Sequence, residues 1–148
     1  MWEEIAIGIL NLVVTVVIHG CAMILVTRRM HLIQKSVSSA SILMDFWWVS
    51  VVVVIVFFAT LLEAIWWAYC YLFLGAIATG EEAMYFSMVT YTTLGYGDVT
   101  LDEGWRILSA FQAANGVIIA GWSTALVIAV IQRIYQMRHE ALYGEDPP

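Results

Sequence analysis

Three long apolar stretches, at about residues 5–27, 42–78 and 105–131, constrain this chain more than any other feature. A bilayer core about 30 Å thick takes about 20 mainly apolar residues as a helix, because in hydrocarbon every backbone amide must be bonded within its own segment. All three stretches reach that length, so the fold class expected is an all-α membrane protein with three spans. The composition agrees: 62% of residues are hydrophobic and 12% charged, against about 45–50% and 25% in soluble domains. A formal net charge of −6 gives no basic surface for nucleic acid, which is excluded as a partner. Cys21 and Cys70 lie singly in apolar runs, without metal-like spacing, and read as small buried hydrophobes.

Glu3 and Glu4 precede the first stretch where a cleaved leader would be positive, so it is expected to remain as a span. Basic residues near span ends are retained on the cytoplasmic side. Arg28, Arg29 and Lys35 follow the first span and Arg133 and Arg138 follow the third, leaving Arg106 alone at the other face. The expected topology is a multi-pass cell-membrane protein with its N-terminus outside and its C-terminus cytoplasmic. The second stretch is too long for one crossing: as a single helix it would run about 55 Å. Placing its outer end near Ala78 leaves Asp45, Trp47 and Trp48 at the inner interface. Placing it at Trp66 and Trp67 would lift 69–77 above the membrane, which is too apolar unless protein covers it.

Between the last two stretches, residues 81–101 are too short to cross. They hold Thr90-Tyr91-Thr92-Thr93-Leu94-Gly95-Tyr96-Gly97-Asp98, where two glycines one residue apart suggest a backbone bent into conformations that β-carbons disfavour. Residues 81–89 read as a short helix with Glu81 and Glu82 at its favourable amino-terminal end. Non-helical backbone at membrane depth is tolerated only when buried in protein or lining a watery cavity, so this re-entrant segment is a pore candidate.

The run Thr93-Leu94-Gly95-Tyr96-Gly97-Asp98 resembles the selectivity filter of the potassium channel pore family. The resemblance covers about residues 61–131, in the order outer helix, pore helix, filter, inner helix. It implies K+ held by the carbonyls of Thr93, Leu94, Gly95 and Tyr96 and the Thr93 hydroxyl, with Gly97 completing the filter and Asp98, Tyr85 and Thr92 supporting it. A closed ring of such segments needs four copies, so the resemblance implies a homotetramer. Leu94 stands where Val is commonest in the family. Tyr85 and Phe86 stand where the family often has paired tryptophans; Tyr85 retains a donor for Asp98, while Phe86 has none for a neighbour's Tyr96, which suggests a filter braced differently.

On the third span, Gly116 falls where the family often has a hinge glycine. Ala113, Val117, Ala120, Thr124 and Ile128 share one helical stripe, expected to line the cavity and gate. Gly116 and Gly121 read equally as sites of close helix packing. Asn115, off the stripe, is expected to bond toward the pore or outer helix. Glu63 is the one carboxylate within a span, and an ionisable residue there is a functional candidate. Reckoned at about 1.5 Å per residue, Glu63 and His19 lie at a common depth of about 21–22 Å, so they are expected to pair between helices. A structural tie between first span and pore unit is the expected role, with pH sensing the alternative. The first span lacks regularly spaced arginines and is expected to anchor and flank the outer helix rather than sense voltage.

The expected organisation is residues 1–35 as the first helix with a basic linker, 36–131 as the pore domain, and 132–148 as a short cytoplasmic tail with no soluble sensor domain. The expected function is passive, potassium-selective conduction, with self and the lipid bilayer as partners, no cofactor, and K+ as the permeant ion. The alternatives are a weakly selective cation channel and, from another class, a small proton-coupled transporter or membrane scaffold using Glu63 and His19. An enzyme is not expected: no nucleophile has an adjacent base, and Thr92 and Thr93 lack one. The compact architecture suggests a bacterial inner membrane.

Overall fold

The computed structural model describes residues 2–37 and 42–144. The linker at 38–41, the last tail residues 145–148 and the side chain of Lys35 lie outside the described residues. Among the described residues four helices follow in order: α1 (Trp2–Val37), α2 (Ile42–Phe73), α3 (Gly80–Tyr91) and α4 (Arg106–Tyr143). Three of them, α1, α2 and α4, are long and apolar enough to cross a membrane.

Chain composition alone would make Val51, Val52, Val53, Val54, Ile55 and Val56 a strand, since β-branched residues favour one in water. They are helical here because a span in hydrocarbon must satisfy its amides internally. Helix α2 ends at Phe73, earlier than the expected limit near Ala78. The cause is a Schellman turn: Gly75 takes φ 67° while the Gly75 amide bonds Leu72 O and the Ala76 amide bonds Tyr71 O, each at 3.0 Å. Beyond it Ile77 is buried in the outer core, with Leu74 and Ala76 packed partly against it and Ala78 exposed. Trp67 is fully buried there too, so it is no interfacial anchor. Thr79 then caps α3, its hydroxyl accepting from the Glu82 amide at 3.3 Å.

Two apolar clusters hold the bundle. The outer one joins Trp67, Tyr71 and Ala68 of α2 to Ala83, Phe86 and Tyr91 of α3 and Leu108 and Ile119 of α4. The inner one joins Val26 of α1, Val52 of α2 and Leu126, Val130, Ile134 and Met137 of α4. Ile134 and Met137 continue the buried face, and α4 runs on past residue 131 to Tyr143, so most of the expected tail segment is helical. At that end Arg138 Nη2 meets Asp45 Oδ2 at 2.5 Å, tying α4 to the start of α2.

Helix α1 packs on both α2 and α4. Its buried stripe, Glu4, Gly8, Asn11, Thr15, His19 and Val26, is largely polar, whereas Val13, Val17, Ile24 and Leu25 face outward as a lipid-facing side should. Gly8 allows the closest approach, since a Cβ there would lie 2.7 Å from the Phe111 ring of α4. The first helix is therefore a partner of the inner helix as well as a flank of the outer one. Cys21 is exposed and Cys70 half-buried, so neither is the core thiol expected from the sequence.

Candidate functional site: the segment after α3

Helix α3 stops at Tyr91 because its last carbonyls are diverted. The Thr92 amide and hydroxyl both bond Met88 O, at 3.1 and 2.8 Å. Val89 O accepts from two amides, Leu94 at 2.9 Å and Gly95 at 3.2 Å. Thr92 thus closes the helix, while the following residues hang from it.

From Thr93 onward the backbone alternates in hand. Thr93, Gly95 and Gly97 have positive φ of 60°, 54° and 79°, and Leu94 and Tyr96 between them do not. In such an alternation successive peptides turn the same way, with amides gathered on one side and carbonyls on the other. Thr93 adopts this conformation despite its Cβ, a cost tolerated where the surroundings impose it. Among the described residues, no hydrogen bond is accepted by the carbonyls of 93–97 or by the Thr93 hydroxyl.

At the outer end, Tyr85 Oη donates to Asp98 Oδ2 at 2.7 Å. That bond holds the Asp98 carboxyl below its ordinary range and, by the same coupling, raises the Tyr85 phenol. Phe86 turns inward and meets Tyr71 edge-on at 5.2 Å. Tyr96 is 68% exposed on the single chain.

Behind the segment, α3 is pinned by two buried polar networks. In the first, Ser87 Oγ donates to Ala64 O at 2.6 Å, Gln112 Nε2 donates to Ser87 Oγ at 2.7 Å, and Tyr71 Oη donates to Gln112 Oε1 at 2.8 Å. The second joins all four helices. His19 Nδ1 lies 3.1 Å from Glu63 Oε1, Tyr91 Oη donates to Glu63 Oε2 at 2.7 Å, and Ser123 Oγ lies 3.3 Å from His19 Nε2. His19 and Glu63 are fully buried, and the His19 ring rests on Trp122 at 5.2 Å.

On α4, Val117, Ala120, Thr124 and Ile128 form an exposed stripe, with Ala113 half-buried above it. Thr93, Gly95, Gly97, Ser109, Ala110 and Ala113 line one open groove of about 340 Å³, so the segment and the upper part of this stripe share a face. Gly116 does not belong to that stripe. It is buried on the adjoining face, where a Cβ would stand 1.9 Å from Tyr91 O, which makes it a packing glycine in place of a cavity residue. Asn115 also departs from expectation: its Nδ2 donates to Thr15 Oγ1 of α1 at 2.6 Å, not to α2 or α3.

Sequence reasoning missed Tyr91, Ser87, Gln112, Ser123 and Thr15. Their signal was present as polar residues inside apolar runs, and Asn11, Thr15 and His19 recur at the four-residue interval of one helix face.

A family model described as an ion channel matches residues 11–133. The chain belongs to this ion channel family. No curated protein and no solved structure gives a significant match. The matched region of the ion channel begins at Asn11, so it takes in most of α1 and extends well ahead of the part, from about residue 61, on which the filter resemblance rests. Three apolar helices in an ion channel make this a membrane protein.

Proposed function

We propose that the chain is the subunit of a passive, potassium-selective channel, in which four copies surround one axis and each contributes residues 93–97 to the filter. The observation that carries this reading is the alternation of backbone hand over Thr93–Gly97 with the carbonyls left uncommitted. A dehydrated K+ needs closely spaced oxygens to replace its water, and the carbonyls of Thr93, Leu94, Gly95 and Tyr96 with the Thr93 hydroxyl are the oxygens proposed. K+ is then the permeant ion, and no cofactor is invoked.

Supporting it are the exposed small and apolar residues on the same face. Val117, Ala120 and Thr124 would line the cavity below the filter once four α4 helices meet, leaving room for water. The open groove beside the segment would be covered by a neighbouring copy. Arg28, Arg29, Arg133 and Arg138 support a cytoplasmic C-terminus and an outer position for Asp98. Acidic Glu81, Glu82, Asp102 and Glu103 would concentrate cations at that mouth. The small pore unit suits a bacterial inner membrane.

Purified protein in liposomes tests the reading. A reversal potential in mixed K+ and Na+ that follows the K+ gradient, together with a native mass of four chains, is the expected result. A reversal potential near zero in a bi-ionic gradient would make this a weakly selective cation channel. Saturable, gradient-coupled flux without unitary steps would make it a transporter.

A further inference from the structure

We infer that His19 and Glu63 are positioning residues for ion selection: acting through the Tyr91 hydroxyl, they hold the last residue of α3 in place, so the first helix takes part in setting the filter. This rests on the potassium-filter reading above and goes beyond it by assigning α1 a role in conduction.

Tyr91 is the hinge between the pore helix and the filter, two residues ahead of Thr93. It is held from two directions. Its carbonyl abuts Gly116 of α4, and its hydroxyl is held by Glu63 of α2. The filter's other restraints on its own chain also run back to α3: Thr90 O holds the Thr93 amide, Val89 O holds the Leu94 and Gly95 amides, and Tyr85 holds Asp98 at the far end. A shift of Tyr91 is therefore passed to the ion-facing carbonyls, whose spacing must hold to about 0.5 Å to act as a preorganised site.

Glu63 can hold Tyr91 only while its carboxyl is itself oriented. One oxygen receives the Tyr91 hydroxyl and the other faces His19 Nδ1, and the carboxyl is fully buried. His19 is in turn fixed by Ser123 and by the Trp122 ring, both on α4. Removing His19 leaves Glu63 Oε1 without its partner, and a buried carboxyl with one partner gone rotates to find another. The ring sits on α1, at no point in contact with the filter, so a change in selectivity on its removal travels through Glu63 and Tyr91 or through Ser123 and Trp122 of α4, and Tyr91→Phe, which leaves the α4 contacts of His19 in place, separates the two routes.

The test uses the full chain in liposomes, with His19→Ala, Glu63→Leu, Glu63→Gln and Tyr91→Phe beside the wild type. K+ over Na+ permeability ratio and thermal midpoint of the assembly are read together. His19→Ala, Glu63→Leu and Tyr91→Phe are expected to lower the ratio about 3- to 10-fold, the range for coupling through packed networks. Glu63→Gln, whose amide can accept from Tyr91 and donate to His19, is expected to keep it within about twofold. If Glu63→Leu or Tyr91→Phe does not assemble, His19→Ala decides alone. A lowered midpoint with an unchanged ratio in His19→Ala makes the network structural only and overturns the inference. A wild type that does not discriminate K+ from Na+ instead overturns the filter reading itself, and the inference with it.

Discussion

Replacing Gly116 by alanine separates two roles that a glycine in an inner helix can play. A Cβ built there stands 1.9 Å from the Tyr91 carbonyl oxygen and 2.9 Å from its carbon, both backbone atoms that no rotamer change can move aside. Restoring ordinary contact, 3.4 Å or more, requires α3 and α4 to part by about 1.5 Å at this point, an overpacking cost of about 1–3 kcal/mol or more. Alanine regains up to about 1 kcal/mol of helix propensity, so the net expectation is a loss of about 1–2 kcal/mol. The parting also moves Tyr91, so the K+ over Na+ ratio falls with stability. Thermal melting of the detergent-solubilised protein and liposome flux measure the two effects. Gly20→Ala is the control, since nothing lies within 4 Å of a Cβ there, and it should melt at or above the wild type. A Gly116→Ala protein that melts like wild type but opens less often would refute the packing argument and restore the hinge.

Three further outcomes follow from the networks around the site. Tyr85→Phe removes the bond that favours ionised Asp98, so the Asp98 carboxyl should rise toward its ordinary value of about 3.9. The bond exists while Asp98 is ionised and is lost as pH falls through its depressed titration, so outer acid block should begin at higher pH in Tyr85→Phe; an unmoved midpoint contradicts this. Gln112→Leu strands Tyr71 Oη and removes the donor to Ser87, and should cost about 1–3 kcal/mol in a melting assay, with Tyr71→Phe partly offsetting the loss in the double variant. Asp45→Asn should weaken the inner tie to Arg138 by about 1 kcal/mol, an effect that shrinks at high salt; a salt-independent loss would point to packing instead.

Much of the architecture was legible because lipid simplifies the rules. With water absent from the core, a stretch such as Val51, Val52, Val53, Val54 and Ile55 has one backbone solution despite its β-branched side chains. Common depth was enough to suggest His19 with Glu63, and the structure brings them within 3.1 Å. The end of α2 was not legible in the same way. An apolar run continues past Gly75, and only the turn at that glycine, with Ile77 folded back into the core, shows where the helix stops.

What the residue order determined by itself is everything that follows from transfer into lipid and from local backbone freedom: three spans, a segment too short to cross, and glycines one residue apart at 95 and 97. What only the tertiary structure decided is which polar group answers which. Gly116 became a contact with Tyr91 and not a lining residue, Asn115 turned to Thr15, and Tyr91 emerged as the third member of the His19 and Glu63 pair. The physical reason is that periodicity assigns a residue to a face of its own helix, while the rotation of neighbouring helices that brings two faces together is set by how all their side chains pack at once.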